Sequence, residues 1–403
     1  MRSPVGRREV VVSGVFTALL VLSILSLPSL LLTGPAYKSW PFLAAARDSS
    51  TGSGGGGGGA GYYPVSFAYL ISASTGDAAR AARLLAALYH PANCYLLHLD
   101  REAPVEEHRR LAELVSGQPV YARAGNVWIV GRPNLVTYRG PTMLSTTLHA
   151  VAMLLRLGRR WDWFVNLSAS DYPLVTQDAH QPPWLEDRAR PVILDTALYE
   201  ADRSELIRPA NLTTNRRNLP TAFKLFTGSA WTMMSRQFAE YFTVGYDDNL
   251  PRTLLLYYTN FVSSPEFYFQ TLACNSRRFR NTTVNHDLHF IRWDSPPKQH
   301  PLYLGPRDYR RMLLSAAPFA RKFREDDPVL DRIDRDILRR DGAAPGRAFA
   351  YGGWCSEGGV RLCSNPQEAG RKGMIKAGAG SRRLRAMLNK MMNARNFRRQ
   401  QCR

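Results

Sequence analysis

Residues able to do chemistry gather in four stretches. The first is "FVNLSASDYPLV", Phe164 to Val175, where Ser168, Ser170 and Asp171 follow an apolar run and precede Tyr-Pro. A strand that ends in Ser and Asp suits ligand contacts in an α/β enzyme, and Asp before Tyr-Pro also suits a plain turn. The second is "SSPEFYFQTL", Ser263 to Leu272. Ser264 and Pro265 read as a helix start, and Glu266 in the first turn agrees with the helix dipole. Its neighbours Phe267, Tyr268 and Phe269 are apolar. A carboxylate in such surroundings tends towards a raised pKa and suits a general base. The third is cationic: a proline-rich loop carrying Lys298, then "APFARKF" with Arg321 and Lys322. The fourth is Asp334-Arg335-Asp336, a D-x-D of the kind that binds metal in many nucleotide-sugar enzymes. It lies mid-helix, where Leu330, Ile333, Ile337 and Leu338 form the buried stripe. Asp331, Asp334 and Asp336 therefore read as the wet face, and the motif as solvated surface.

These groups need a scaffold, and the preceding residues predict one. "SFAYLI" (Ser66–Ile71), "CYLLHLD" ending at Asp100, "NVWIV" (Asn126–Val130) and "WFVNL" (Trp163–Leu167) read as buried strands. Between them lie helices. One is capped by Asp77, with Ala81, Leu84, Leu85 and Leu88 at i, i+3, i+4, i+7. A second spans Glu106–Leu114. A third opens at Pro141 with Leu144, Leu148, Val151 and Leu155 on one face. Alternation of this kind predicts an α/β fold with a mostly parallel sheet and helices on both faces. Ligands then bind beyond the carboxyl ends of the strands, where Asp100 and the Ser168–Asp171 group fall. No G-x-G-x-x-G, P-loop or G-x-S-x-G is present, which removes support for dinucleotide, ATP and hydrolase-elbow chemistry. In the second half, "KLFTGSAWTMMSRQFAEYF" (Lys224–Phe242) reads as a Gly-Ser turn, a short strand and a helix capped near Ser235.

The N-terminus sets the compartment. Val10 to Leu32 is a 23-residue run without a charge, preceded by Arg2, Arg7 and Arg8. About 20 apolar residues span a bilayer as a helix, more than a cleaved signal needs, and the positive-inside rule keeps the start cytosolic. The expected layout is a cytosolic tail (1–9), a transmembrane signal anchor (10–32), a flexible Gly-rich stem (33–61) and a lumenal catalytic domain (62–403). This is the order of a type II Golgi enzyme. Lumenal exposure allows N-glycosylation at Asn211 and Asn281, whereas Asn166 sits in a buried strand. Cys355 and Cys363 bracket a short glycine-rich loop and are the first disulfide candidates, with Cys94 free. The net charge is +20, of which the segment 371–403 supplies eleven Lys/Arg and no Asp/Glu. A basic tail is usually a solvated face, and no nucleic-acid motif accompanies it.

Taken together, "YLLHLD", "FVNLSASDYPL", "KLFTGSAWTMMSR", "SSPEFYFQT", "NTTVNHDLHFIRWD-PPKQHP" and "PFARKF" resemble the core-2/I-branching glycosyltransferase family. Within it the chain resembles the plant β-glucuronosyltransferases of arabinogalactan proteins, from about Tyr62 to Cys402. The resemblance implies a GT-A-like fold, a nucleotide-sugar donor, inversion at the anomeric carbon and independence from a divalent metal or other cofactor. It puts the general base on Glu266, the strand end near the donor's uridine on Asp100, and a UDP-phosphate contact on Lys322, with Arg321 beside it. For the arginine that animal members place on the diphosphate, Lys298 is the nearest cation. Ser168, Asp171, Ser229 and Trp231 then fall to the acceptor side. The implied reaction moves glucuronic acid from UDP-glucuronate to β-galactan side chains. UDP-xylose or UDP-N-acetylglucosamine as donor, or a catalytically silent glycan-binding protein, are the alternatives.

Overall fold

The computed structural model describes residues 65–137, 140–175, 199–200, 219–245, 249–259, 261, 263–296, 300–340, 379–399 and 401–402. The tail, anchor and stem, Asn211, Lys298, Cys355, Cys363 and residues 371–378 lie outside them. No helix among the described residues is long and apolar enough to cross a membrane.

The chain opens with β1 (Phe67–Ala73), α1 (Ala78–Leu88), β2 (Cys94–Leu99), α2 (Val105–Ser116), α3 (Pro119–Ala124), β3 (Val127–Ile129), α4 (Thr142–Arg156) and β4 (Trp163–Ser168), the expected alternation with the short α3 added. Two short strands follow, β5 (Tyr172–Pro173) and β6 (Tyr199–Glu200), then β7 (Phe226–Thr227) and β8 (Met233–Ser235). Helices α5 (Arg236–Val244), α6 (Leu250–Tyr258) and α7 (Tyr268–Asn275) precede β9 (His289–Ile291), α8 (Tyr309–Ser315) and β10 (Phe319–Arg321). The last elements are α9 (Pro328–Ile333), α10 (Ala379–Met392) and α11 (Ala394–Arg399).

The main sheet has the order β3-β2-β1-β4-β8. Its first four strands are parallel, and β8 closes the edge antiparallel to β4. Successive residues of β1 feed two cores, as strands covered on both faces must. Phe67, Tyr69 and Ile71 pack with Leu84 and Leu88 of α1, whereas Ala68 and Leu70 pack with Leu144, Val151 and Leu154 of α4. All four apolar positions expected on α1 are buried. Asp77 occupies the N-cap position of α1, but its carboxylate accepts the Ser74 N–H instead, and Glu107 of α2 accepts from Gly76 and Ala78. The stripe of α4 is rotated from its expected place. Leu144, Thr147, Val151 and Leu154 are buried, while Leu148 and Leu155 are only partly so. Thr146 and Thr147 can face the core because their hydroxyls donate to the carbonyls of Thr142 and Met143, one turn back.

A second sheet, β5-β10-β9, sits at the carboxyl end of β4. Strand β10 runs parallel to β9 and antiparallel to β5, with Ala320 opposite Tyr172. Helix α9 passes into a π-helical turn, Asp334–Leu338. Of the expected stripe, Leu330, Ile333 and Leu338 are buried and Ile337 is partly so. The D-x-D is not solvated as expected: Asp334 is 8% exposed. Its carboxylate receives Arg83 at 2.7 Å, Arg340 at 2.8 Å and the Tyr172 hydroxyl at 2.5 Å. Two guanidinium groups and a phenol replace water there, so burial is compensated. Asp336 remains partly exposed and pairs with Arg332 and Arg335. The disulfide among the described residues is Cys274–Cys402, and Cys94 is free and buried.

Two histidines lie inside the main sheet and its connections. His90 is fully buried, accepts the Ala92 N–H on Nδ1, and burial pushes its pKa down to about 3. His98 accepts the Asn134 N–H on Nε2 and is lowered to about 4, again by burial first. A histidine held neutral in the fold stabilises it above the unfolded pKa, and that stability is lost as pH falls from 6.5 towards the folded value. At pH 5 the loss at His90 comes to roughly 2 kcal/mol. The melting temperature should therefore fall on acidification from pH 7 to pH 5, and His90→Asn, which keeps an acceptor near Nδ1, should flatten that slope. A pH series of thermal melts on both proteins reads this directly.

Candidate active site

The opening stretch forms a tight loop at the end of β4. The Ser168 N–H donates to Asp171 Oδ2 at 2.8 Å, the Asp171 N–H returns to the Ser168 carbonyl at 2.9 Å, and Ser168 Oγ accepts the Ser170 N–H. One carboxylate oxygen of Asp171 is thus a turn former. The other, Oδ1, is buried without a hydrogen bond and faces Arg321 Nε at 3.5 Å. Asp171 is 1% exposed. Burial raises its pKa, opposed by the Arg321 charge and the Ser168 N–H.

Arg321 reaches this point because β10 pairs with β5, directly after Asp171. Its guanidinium lies 4.0 Å over the ring of Trp231, and Nε and Nη1 are buried without hydrogen-bond partners. A cation on an aromatic face gains about 0.5–2 kcal/mol, most where water is excluded. The third group at this point is His289. Its Nε2 stands 3.8 Å from Asp171 Oδ2, also without a hydrogen bond, while Nδ1 lies 2.6 Å from the Asp287 carbonyl. Burial lowers its pKa to about 4. Leu288 before it holds φ +58, a left-handed conformation that costs a non-glycine residue roughly 1–3 kcal/mol. The result is a cluster of Asp171, Arg321 and His289 with four polar atoms left without hydrogen bonds, one carboxylate oxygen and three nitrogens, a polar set suited to a hydroxyl-rich ligand. His289 was not singled out by the sequence. The only signal was a polar "NHD" run ahead of a short apolar strand.

Glu266 ends a 3-10 turn, Ser264–Glu266, entered through Ser263 at φ +55. Its N–H bonds to the Ser263 carbonyl, and its own carbonyl accepts the Gly228 N–H at 2.7 Å. One residue after Gly228, the Ser229 carbonyl accepts Gln270 Nε2 of α7 and Ser229 Oγ accepts the Trp231 N–H. Asn166 of β4 fixes the same segment by donating to the Ala230 carbonyl and accepting from Thr232. This task buries Asn166, as expected of that sequon. The segment 228–231 therefore links the Glu266 turn to Trp231, and through it to Arg321 and Asp171. The Glu266 side chain is half-buried.

Asp100 lies on the same sheet edge. Ser72 of β1 is in register with both His98 and Ser168. Both Asp100 oxygens accept backbone N–H groups, from Glu102 at 2.8 Å and Val136 at 2.7 Å, so the carboxylate shapes the 134–136 loop. Lys322 follows Arg321 and places Nζ 4.4 Å over Tyr303, beside Arg324 on the same half-exposed ring. Asn281 is exposed, away from these contacts. Backbone and side-chain contacts thus connect Ser168, Asp171, Ser229, Trp231 and Arg321 to the Glu266 turn, while Lys322 sits on Tyr303 and Asp100 follows β2.

The model of the Core-2/I-Branching enzyme family matches residues 67–313. The chain is 50% identical over 361 residues to "Beta-glucuronosyltransferase GlcAT14A" of Arabidopsis thaliana, covering 84% of this chain and 78% of that protein. It is 49% identical over 358 residues to GlcAT14B of the same plant, covering 83% and 80%. Human "Xylosyltransferase 2" is 27% identical over 301 residues, covering 67% of this chain and 33% of that protein. The chain belongs to the core-2/I-branching enzyme family of glycosyltransferases.

Proposed function

We propose that the protein is an inverting, metal-independent β-glucuronosyltransferase with a GT-A-like fold. It moves glucuronic acid from UDP-glucuronate to β-galactan side chains of arabinogalactan proteins, in the Golgi lumen, anchored by residues 10–32. The observation that carries the reaction type is the tie from the Glu266 carbonyl to Gly228, which joins a carboxylate-bearing turn to the Trp231–Arg321 stack. The donor sugar is taken from the names of the two Arabidopsis relatives.

In this reading Glu266 takes the proton from the acceptor hydroxyl as its oxygen attacks the anomeric carbon. The bond from that carbon to the UDP oxygen breaks, and negative charge grows on the leaving phosphate. Lys322 and Arg321 meet that charge, with Lys298 as a further candidate. Cations take the place of a metal because the D-x-D carboxylates are already engaged by arginines. Asp171 and Ser168 shape the sugar pocket with Trp231 and Ser229, and Asp100 holds the loop on the uridine side. Asn211 and Asn281 are glycosylation acceptors in the same compartment.

Three outcomes follow. With the fragment from Tyr62 onward and a galactan acceptor, UDP-glucuronate should be the preferred donor; faster turnover with UDP-xylose or UDP-N-acetylglucosamine would reassign the sugar. Glu266→Gln should lower kcat by about 10²–10⁴-fold while UDP affinity stays within about twofold, measured by single-turnover transfer and by calorimetry. Transfer should persist in EDTA, and activity lost there and restored by Mn²⁺ would refute the metal-free mechanism.

A further inference from the structure

The C-terminal helices α10 and α11 lie beyond the region matched by the family model, yet they pack against the segments that carry Asp171 and His289. Leu384, Leu388 and Met391 of α10, one stripe at i, i+4, i+7, bury against Val175, Val284 and Leu288. Val175 closes the stretch that begins with Ser168 and Asp171. Leu288 is the residue in the left-handed conformation, and it directly precedes His289. Its apolar side chain is held in the α10 cluster while the next residue faces Asp171. At the start of α10 the fit is close: a Cβ on Gly380 would stand 2.9 Å from Val175 Cγ1. At the far end the chain is pinned twice. Gln401 donates to the Thr283 carbonyl at 2.9 Å, and Cys402 is bonded to Cys274 of α7, the helix that follows the Glu266 turn.

We propose that α10–α11, locked by the Cys274–Cys402 disulfide, is a positioning element that sets Asp171 and His289 in the sugar pocket. Leu388 and Cys402 are its positioning residues. They touch neither substrate nor reacting atoms, and act by holding residues 171–175 and 283–289 against each other. The proposal rests on Asp171 shaping the sugar pocket in the proposed function, with His289 placed there by its 3.8 Å approach to Asp171. Loss of the lock should loosen these two segments and leave the main sheet intact.

The test uses the full chain with Cys274→Ser and Cys402→Ser combined, which leaves no unpaired thiol from this bridge. Amide exchange within 168–175 and 283–291 should quicken by about tenfold, with β1 and β2 unchanged. The acceptor KM should rise by about fivefold or more, while UDP affinity moves far less. Leu388→Ala should do the same, and Leu388→Met should restore the wild-type values. Leu111→Ala, in the core under α2, is the control: it should lower the melting temperature without moving the acceptor KM. If the double variant does not fold, the folded wild type is treated with dithiothreitol. The reagent is oxidised to its cyclic disulfide as the two cysteine sulfurs each gain a hydrogen, and the same two readouts apply. Unchanged exchange and KM after the bridge is opened would overturn the proposal. So would a control variant that raises KM as much as Leu388→Ala. The exchange arm needs no sugar donor, so it stands apart from any failure of the donor assignment.

Discussion

Asp171 and Arg321 meet where water is excluded, at the join between two sheets. Taking a carboxylate and a guanidinium out of water is expensive, and their attraction repays it only if the surroundings hold them in place. Much of the local structure serves that need. The Ser168 N–H satisfies one Asp171 oxygen. Strand β10 carries Arg321 to the other oxygen by pairing with β5. Trp231 lies against the face of the guanidinium, and β8 with Asn166 fixes the segment that brings it there. His289 adds no charge of its own at neutral pH, because burial keeps it neutral. Remove any of these and an incompletely compensated charge remains inside the protein.

The same constraint recurs one residue later. Tyr172 sits between Arg83, Arg340 and Asp334, and its hydroxyl accepts from Arg340 while donating to Asp334. Asp331 completes the contact with Arg83 at the surface. This network joins α1, β5 and the turn after α9, so the strand that follows Asp171 cannot slide along its sheet. Rigid polar bonding on one side of the loop and an apolar seat for Val175 on the other leave it little freedom. That suits a binding site, since ordering the pocket in advance spares the ligand the entropic penalty.

The main sheet was legible because its strands are buried on both faces and α1 has a clean 3.6-residue stripe. Those patterns are local. The rotation on α4 escaped because threonines read as polar, although each can bond its hydroxyl to the preceding turn. Asp334 departs from the helical pattern for a different reason. Its partner Arg83 lies 251 residues away, and helical periodicity carries no information about such a neighbour. His289 on a short apolar strand looks like a core residue until Asp171 is seen opposite. Cys274 and Cys402 are separated by 128 residues, and no local spacing points to such a pair, whereas Cys355 and Cys363, outside the described residues, are close in sequence. Glu266 stands out in the sequence through its local Ser-Pro-Glu context, whereas its link to Gly228 depends on the fold.

That long disulfide bears on how the molecule is made. Synthesis is vectorial, and the parallel sheet can assemble as soon as β4 has emerged, with β8 added later. The bridge cannot. Its first sulfur must wait while 128 further residues are translated, and the strained turn at Leu288 lacks its apolar seat during that time. Completion of the site is therefore a late event, separate from assembly of the sheet. A chain interrupted between β10 and α10 would have the sheet in hand and still present an unfinished pocket to whatever oxidises or inspects it.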